Sequence, residues 1–143
     1  MLEAKDLHYA YVVDQPVLQG VSLGVPSNTV VYLLGHNGCG KTTLLEILGG
    51  VRAPQRGEVY LDGANVHTLP AHLRARRVGL VPQLHTPVFS YTVRELVLMG
   101  RTPYLKLLGT PGRADYEIAD EAIEQVGLGH LRHRAYTELS GGE

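Results

Sequence analysis

Val30-Val31-Tyr32-Leu33-Leu34-Gly35-His36-Asn37-Gly38-Cys39-Gly40-Lys41-Thr42-Thr43-Leu44-Leu45 decides how this chain is read. It opens as an unbroken apolar run, crosses a loop with three glycines and one lysine, and leaves in a register of leucines. That succession predicts a buried strand, a phosphate-binding loop and a helix. Gly35, Gly40, Lys41 and Thr42 occupy the fixed positions of the pattern G-x-x-x-x-G-K-[ST].

Each residue type has a physical reason to stand where it does. A polyphosphate carries several negative charges that must be met without water. Backbone N–H groups of a loop running through His36, Asn37 and Cys39 can converge on it only where side chains do not block the approach, hence Gly35, Gly38 and Gly40. The loop opens into a helix, whose free N–H groups and positive dipole end face the same anion. Lys41 adds a mobile charge able to reach the β- and γ-phosphates, and the hydroxyl of Thr42, followed by Thr43, is placed to bind Mg²⁺. A glycine-rich turn with a surface lysine would satisfy the same pattern by chance, but chance seldom sets it between a buried strand and a leucine-bearing helix. Cys39 reads as a small space-filling residue rather than as an activated thiol.

The rest of the chain sets the frame. Its 143 residues suit one domain of ordinary size, and 13 Lys and Arg against 14 Asp and Glu give no electrostatic argument for nucleic acid or an anionic surface. A single cysteine forms no internal disulfide and, with no signal peptide in view, fits a reducing, cytosolic setting. No apolar run approaches the length of a membrane span, so work at a membrane would need another chain.

Residues 2–9 and 17–25 alternate in part with period two and predict paired strands. Gly49-Gly50 ends the loop helix, and a polar turn over residues 52–57 leads to a strand around 58–61. A short helix is expected near Pro70, with Thr68 as its cap, running to the arginines at 74, 76 and 77, which read as a solvated helix end. Residues 78–81 form the next buried-strand candidate. A helix is expected from a Thr92 cap to about Met99, and residues 115–126 are amphipathic, with Ala119, Ala122, Ile123 and Val126 as the apolar stripe and Glu117, Asp120, Glu121 and Glu124 facing away. Those acids read as a solvated face rather than a metal site.

Leu139-Ser140-Gly141-Gly142-Glu143 changes the scope of the reading. With this signature the chain resembles the nucleotide-binding domain of an ATP-binding-cassette (ABC) transporter. The resemblance covers the whole chain and rests on ordered motifs: Tyr11, the loop over residues 35–42, Gln83 after a buried strand, and the LSGGE stretch. It implies an α/β P-loop NTPase of ABC type, with an N-terminal antiparallel β-subdomain over residues 1–29, a loop-bearing core over 30–83 and a helical signature subdomain over 84–143.

Site roles follow from the resemblance. ATP and Mg²⁺ are the implied ligands. Tyr11 matches the aromatic that stacks on adenine, with Tyr9 a neighbouring candidate. Gln83 matches a residue that contacts Mg²⁺ and the attacking water and links the site to the membrane subunit, so Lys41 and Gln83 are the catalytic candidates and Thr42 and Gln83 the metal candidates. Ser140, Gly141 and Gly142 match the loop that closes over nucleotide held by an opposite subunit, small residues and N–H groups again aimed at an anion. The implied partners are a second ATPase subunit in a head-to-tail homodimer and a membrane permease, with no nucleic acid, and the implied place is the cytoplasmic face of the cell membrane.

A finer similarity, carried by residues 92–104 and by Val126-Gly127-Leu128, is to ATPases of bacterial importers for iron-siderophore, haem or cobalamin. In that family the chain continues beyond the signature to an aspartate, a catalytic glutamate and a switch histidine. None of the seven histidines fills the last role, and His130 and His133 read as solvated. The expectation is therefore an incomplete core sheet, an unpaired apolar edge at residues 30–34, and a chain that alone binds MgATP with negligible turnover. A non-transport ABC protein and a short inactive nucleotide-binding partner are the alternative functions.

Overall fold

In a computed structural model the described residues are 1–143 without 84–88, 107, 141 and 143. They form two compact units, residues 1–81 and 82–143.

The first unit is built on a wholly antiparallel sheet. Strand β1 (Leu2–Val12) turns at Val13 and Asp14 into β2 (Gln15–Val25). On its other side β1 pairs with β3 (Arg56–Leu61), which pairs in turn with the short β4 (Ala64–Asn65), giving the order β2-β1-β3-β4. Leu2 sits between Val25 and Leu61, and Ala4 between Leu23 and Val59. Strict alternation from Ala4 would turn Leu7 to solvent. Instead the register slips between Ala4 and Leu7, where Asp6 takes a positive φ of 49° and its N–H donates to Ser22 Oγ at 2.9 Å. This bulge returns Leu7 to the core face, where it is fully buried.

Helix α1 (Lys41–Leu48) completes the core, with Leu44, Ile47 and Leu48 joining Ala4, Leu7, Leu18, Val59 and Val66. Full burial of a side chain the size of Ile47 stabilises by about 1.5–3 kcal/mol. After β4 comes α2 (Ala71–Ala75), whose N-cap is Pro70. Thr68 does not cap it; its hydroxyl donates to the Asn65 carbonyl at 3.1 Å.

Two expected strands do not form among the described residues. Residues 30–34 and 78–81 have no assigned strand structure. A strand exists only through ladder hydrogen bonds to a neighbour, and an apolar run cannot supply them by itself. Val30, Tyr32 and Leu34 are 79, 81 and 88% exposed, whereas Val31 and Leu33 turn toward an apolar cleft of about 380 Å³ shared with Leu44, Leu48 and Leu61. Period-two alternation thus survives without pairing; the expected unpaired strand edge does not form, because residues 30–34 join no sheet, and what remains is an exposed apolar segment.

The second unit contains α3 (Val93–Met99), a 3₁₀ turn at Thr102–Tyr104, α4 (Arg113–Gln125), and 3₁₀ turns at Gly129–Leu131 and Tyr136–Glu138. Thr92 caps α3 through a reciprocal box: Glu95 N–H donates to Thr92 Oγ1 at 3.2 Å, and Thr92 N–H to Glu95 Oε2 at 2.8 Å. On α4 the buried residues are Ala119 and Ile123; Val126 is 69% exposed and Ala122 is also exposed, so the stripe is narrower than its periodicity predicts. Most of the acids are engaged by arginines. Arg94 grips Asp120 in a two-pronged pair of 2.7 and 2.6 Å, Arg101 holds Asp115 at 3.0 Å, Arg113 holds Glu117 at 2.7 Å, and Arg132 pairs with Glu124.

Hydrogen bonding to Arg94 holds the Asp120 carboxyl below its ordinary range, and the Gly112 N–H followed by Arg101 does the same for Asp115. A depressed folded-state pKa contributes stability above the unfolded value and loses it as pH falls through the folded value. The melting temperature is therefore expected to fall in acid, below about pH 4. Asp120→Asn should lower it at neutral pH by an amount that shrinks on acidification and at high salt, as followed by circular dichroism; a pH-independent difference would contradict the pairing. Thr92→Ala should cost about 1 kcal/mol in chemical unfolding through loss of the cap.

Candidate nucleotide site

The loop between residue 34 and α1 is shaped by close contacts. Gly40, the N-cap of α1, has φ 93° and is buried, and a Cβ there would lie 3.0 Å from Val17 Cγ1 and 3.2 Å from the Val17 carbonyl oxygen. A glycine is therefore demanded twice, by backbone conformation and by the approach of β2. No side chain caps α1, which leaves the helix start and its dipole facing the loop. Cys39 is partly buried, and its Sγ lies 2.7 Å from where a Cβ on Gly35 would be, so the thiol fills the floor of the loop.

Lys41 folds back over this loop. Its Nζ donates to the Gly35 carbonyl at 2.8 Å and the His36 carbonyl at 2.7 Å, with Cys39 Sγ at 3.7 Å. These acceptors hold the ammonium over the ring of backbone that follows Gly35. His36 Nδ1 meets the Asn37 carbonyl at 2.9 Å, tightening the loop further. Gly38, with φ 81°, has open space where a Cβ would stand, and Thr42 is exposed at the helix start. Thr43, in contrast, is only 4% exposed.

The aromatic candidate is tied to the same helix. Tyr11 Oη lies 3.0 Å from Thr43 Oγ1, and the Tyr11 ring stands edge-on to Tyr9, with centroids 5.1 Å apart and an interplanar angle of 83°. Tyr9 packs on the core, while Tyr11 is 56% exposed. Arg52, to which the sequence assigns no role, lies against both rings. Its guanidinium carbon is 4.9 Å from the Tyr11 centroid and 5.3 Å from that of Tyr9. It donates through Nε to Glu46 at 2.7 Å and through Nη1 to Tyr9 Oη at 2.8 Å, and these two bonds, Glu46 first, raise its pKa further above the ordinary arginine value.

The loop residues 35–43 and Tyr11 are thus gathered in the first unit. Gln83, Ser140 and Gly142 belong to the second, Gln83 and Gly142 being exposed, and Gly141 lies outside the described residues. The segment before Ser140 is anchored to α3: Val93 N–H donates to the Arg134 carbonyl and Arg94 N–H to the Arg132 carbonyl, both at 3.0 Å, and Thr92 bridges Ala135 in antiparallel fashion. No helix among the described residues is long and apolar enough to cross a membrane.

The profile of the ABC transporter family matches residues 18–143. This chain belongs to the ABC transporter family. It is similar to the hemin import ATP-binding protein HmuV of Pseudomonas putida, 42% identical over 127 residues that make up 89% of this chain and 48% of that protein. The molybdate import ATP-binding protein MolC of Haemophilus influenzae is 33% identical over 142 residues, 99% of this chain and 51% of that one. Among solved structures, an ATP-binding cassette seen as a dimer in a post-hydrolysis state bound to ADP and Pi superposes with a TM-score of 0.83 at 25% identity, over 99% of this chain and 64% of its own. The chain spans about half the length of the curated relatives it matches. Its architecture is that of an α/β ABC ATPase fragment, with the antiparallel sheet, loop and helices of the family.

Gly40→Ala in this ABC chain is expected to cost about 1–3 kcal/mol through the left-handed backbone and the contact with β2. Thermal unfolding checks this; an unchanged melting temperature would mean that the loop does not hold this shape.

Proposed function

We propose that the whole protein is the ATP-binding and ATP-hydrolysing subunit of an importer for an iron-siderophore, haem or cobalamin-type substrate. The observation that carries the reading is the anion cradle over residues 35–42, with its glycine-shaped loop, uncapped helix start and Lys41 poised on loop carbonyls.

ATP with Mg²⁺ fits this donor set. The loop N–H groups and the start of α1 would meet the phosphates, and Lys41 would exchange the Gly35 and His36 carbonyls for phosphate oxygens, a swap of neutral acceptors for charged ones. Thr42 and Gln83 are the residues that would hold Mg²⁺, which supplies neutralisation of charge on the transferring phosphoryl group. Tyr11 would carry the adenine on its exposed ring. Ser140, Gly141 and Gly142 would act on nucleotide held by a second ATPase subunit in a head-to-tail dimer, and the region of residues 83–104 would meet the permease at the cytoplasmic face of the membrane. The organisation into a β-subdomain over 1–29, a core over 30–83 and a helical subdomain over 84–143 belongs to the same reading.

The similarity to HmuV supports haem or a related chelate as cargo, and the more distant similarity to MolC keeps molybdate as the nearest competitor. Residues 1–143 alone would bind MgATP with negligible turnover, because this reading assigns the general base to none of them.

Lys41→Ala should weaken MgATP binding by at least about tenfold, the scale set by a single charge-assisted hydrogen bond. In the whole protein it should abolish hydrolysis and uptake. Calorimetric titration with MgATP and a phosphate-release assay test both parts. Robust hydrolysis by residues 1–143, abolished by Lys41→Ala, would overturn the assignment of negligible turnover.

A further inference from the structure

Helix α1 touches the aromatic pair on β1 at two points. One is direct, from Thr43 to Tyr11 Oη at 3.0 Å. The other runs through a side chain from the loop beyond the helix: Glu46 accepts from Arg52 Nε at 2.7 Å, and Arg52 spreads over the Tyr9 and Tyr11 rings while donating to Tyr9 Oη. The arginine side chain is one-third exposed and Glu46 one-quarter, so the pair is partly shielded from solvent. Arg52 faces one side of the Tyr11 ring and Tyr9 stands against it edge-on, yet more than half of Tyr11 remains open.

We propose that Arg52 is a positioning residue for adenine: tied to α1 by Glu46, it fixes the Tyr11 ring at a set height above the phosphate loop that begins the same helix. The inference rests on the nucleotide reading above and deepens it. An exposed tyrosine on a strand end loses rotamer freedom when a base stacks on it, and a ring already fixed loses less. A guanidinium suits the task because one planar group can donate to a carboxylate and a phenol while lying over a ring face, which an ammonium cannot do at once. Tyr9 is then the strut and Tyr11 the platform. Base and triphosphate are registered by a single helix, so Arg52 acts on the base half of the ligand alone.

Inorganic tripolyphosphate, which presents the phosphates without the base, separates this role from a structural one. Arg52→Met keeps an apolar stem against the rings and removes the bonds to Glu46 and Tyr9. It is expected to weaken ATP about fivefold to tenfold while leaving tripolyphosphate within about twofold, since base stacking is the affected part. Glu46→Gln, which loosens Arg52 without removing it, should show the same pattern at smaller size. Both are measured by calorimetric titration of the whole protein, with melting temperatures recorded alongside. Equal loss of ATP and tripolyphosphate affinity, or no loss of either, would overturn the inference. Wild-type protein that binds tripolyphosphate as tightly as ATP would show that Tyr11 carries no base, and wild-type protein that binds neither would overturn the nucleotide reading itself.

Discussion

The position of the phosphate loop depends on the burial of one helix face. Helix α1 has eight residues, too few to be stable in isolation, and its sequence supplies no side-chain cap. What holds it is Leu44, Ile47 and Leu48 sunk into the core with Leu7, Leu18 and Val59 of the sheet. Its first turn is thereby fixed against β2, which closes so tightly on Gly40 that no other residue fits without strain. The uncapped N–H groups would be a defect in a purely structural helix. At the mouth of a glycine loop they are donors available to an anion, as the proposed nucleotide reading requires.

That dependence explains which parts are legible in the sequence. The loop, α1, the hairpin of β1 and β2, and the Thr92 cap of α3 all rest on contacts close in sequence or on fixed residue chemistry, and each is readable. Residues 30–34 and 78–81 carry the apolar runs of strands, but strand structure requires a hydrogen-bonded neighbour, and no local pattern reports whether one is present. The bulge at Asp6 is also hidden, because an aspartate at positive φ has no distinctive spacing; only the burial of both Ala4 and Leu7 reveals it. Thr68 has the residue type of a cap, yet its hydroxyl finds the Asn65 carbonyl instead, the competition between turn and helix typical of short polar side chains.

Arg52 is illegible for a different reason. In sequence it stands in a polar turn after Gly49 and Gly50, where an arginine usually means only solvation. Its meaning comes from Tyr9 and Tyr11, more than forty positions earlier, brought beside the end of α1 by the pairing of β1 with β3. The hydrogen bonds of Gln55 to Ala10 show how the connection is made: Gln55 Oε1 accepts from Ala10 N–H at 2.9 Å and its Nε2 donates to the Ala10 carbonyl at 3.2 Å, drawing the turn that carries Arg52 against the end of β1. Sheet registration therefore creates the aromatic cluster, and composition alone could not.

The same cluster bears on the choice between the two tyrosines. A stacking platform needs an open face and a fixed tilt. Tyr9 fails the first condition, being packed on the core with its hydroxyl taken by Arg52. Tyr11 meets the first through its exposure and the second through three restraints: Thr43 at its hydroxyl, Tyr9 at its side, and Arg52 against its face. A ring held at three points by side chains that themselves lead back to α1 and the core is tied to the helix that begins at the phosphate loop as well as to the end of β1. Those contacts give an exposed aromatic, ordinary by itself, a position relative to the glycine loop that is set by the fold, which is what the proposed adenine role demands.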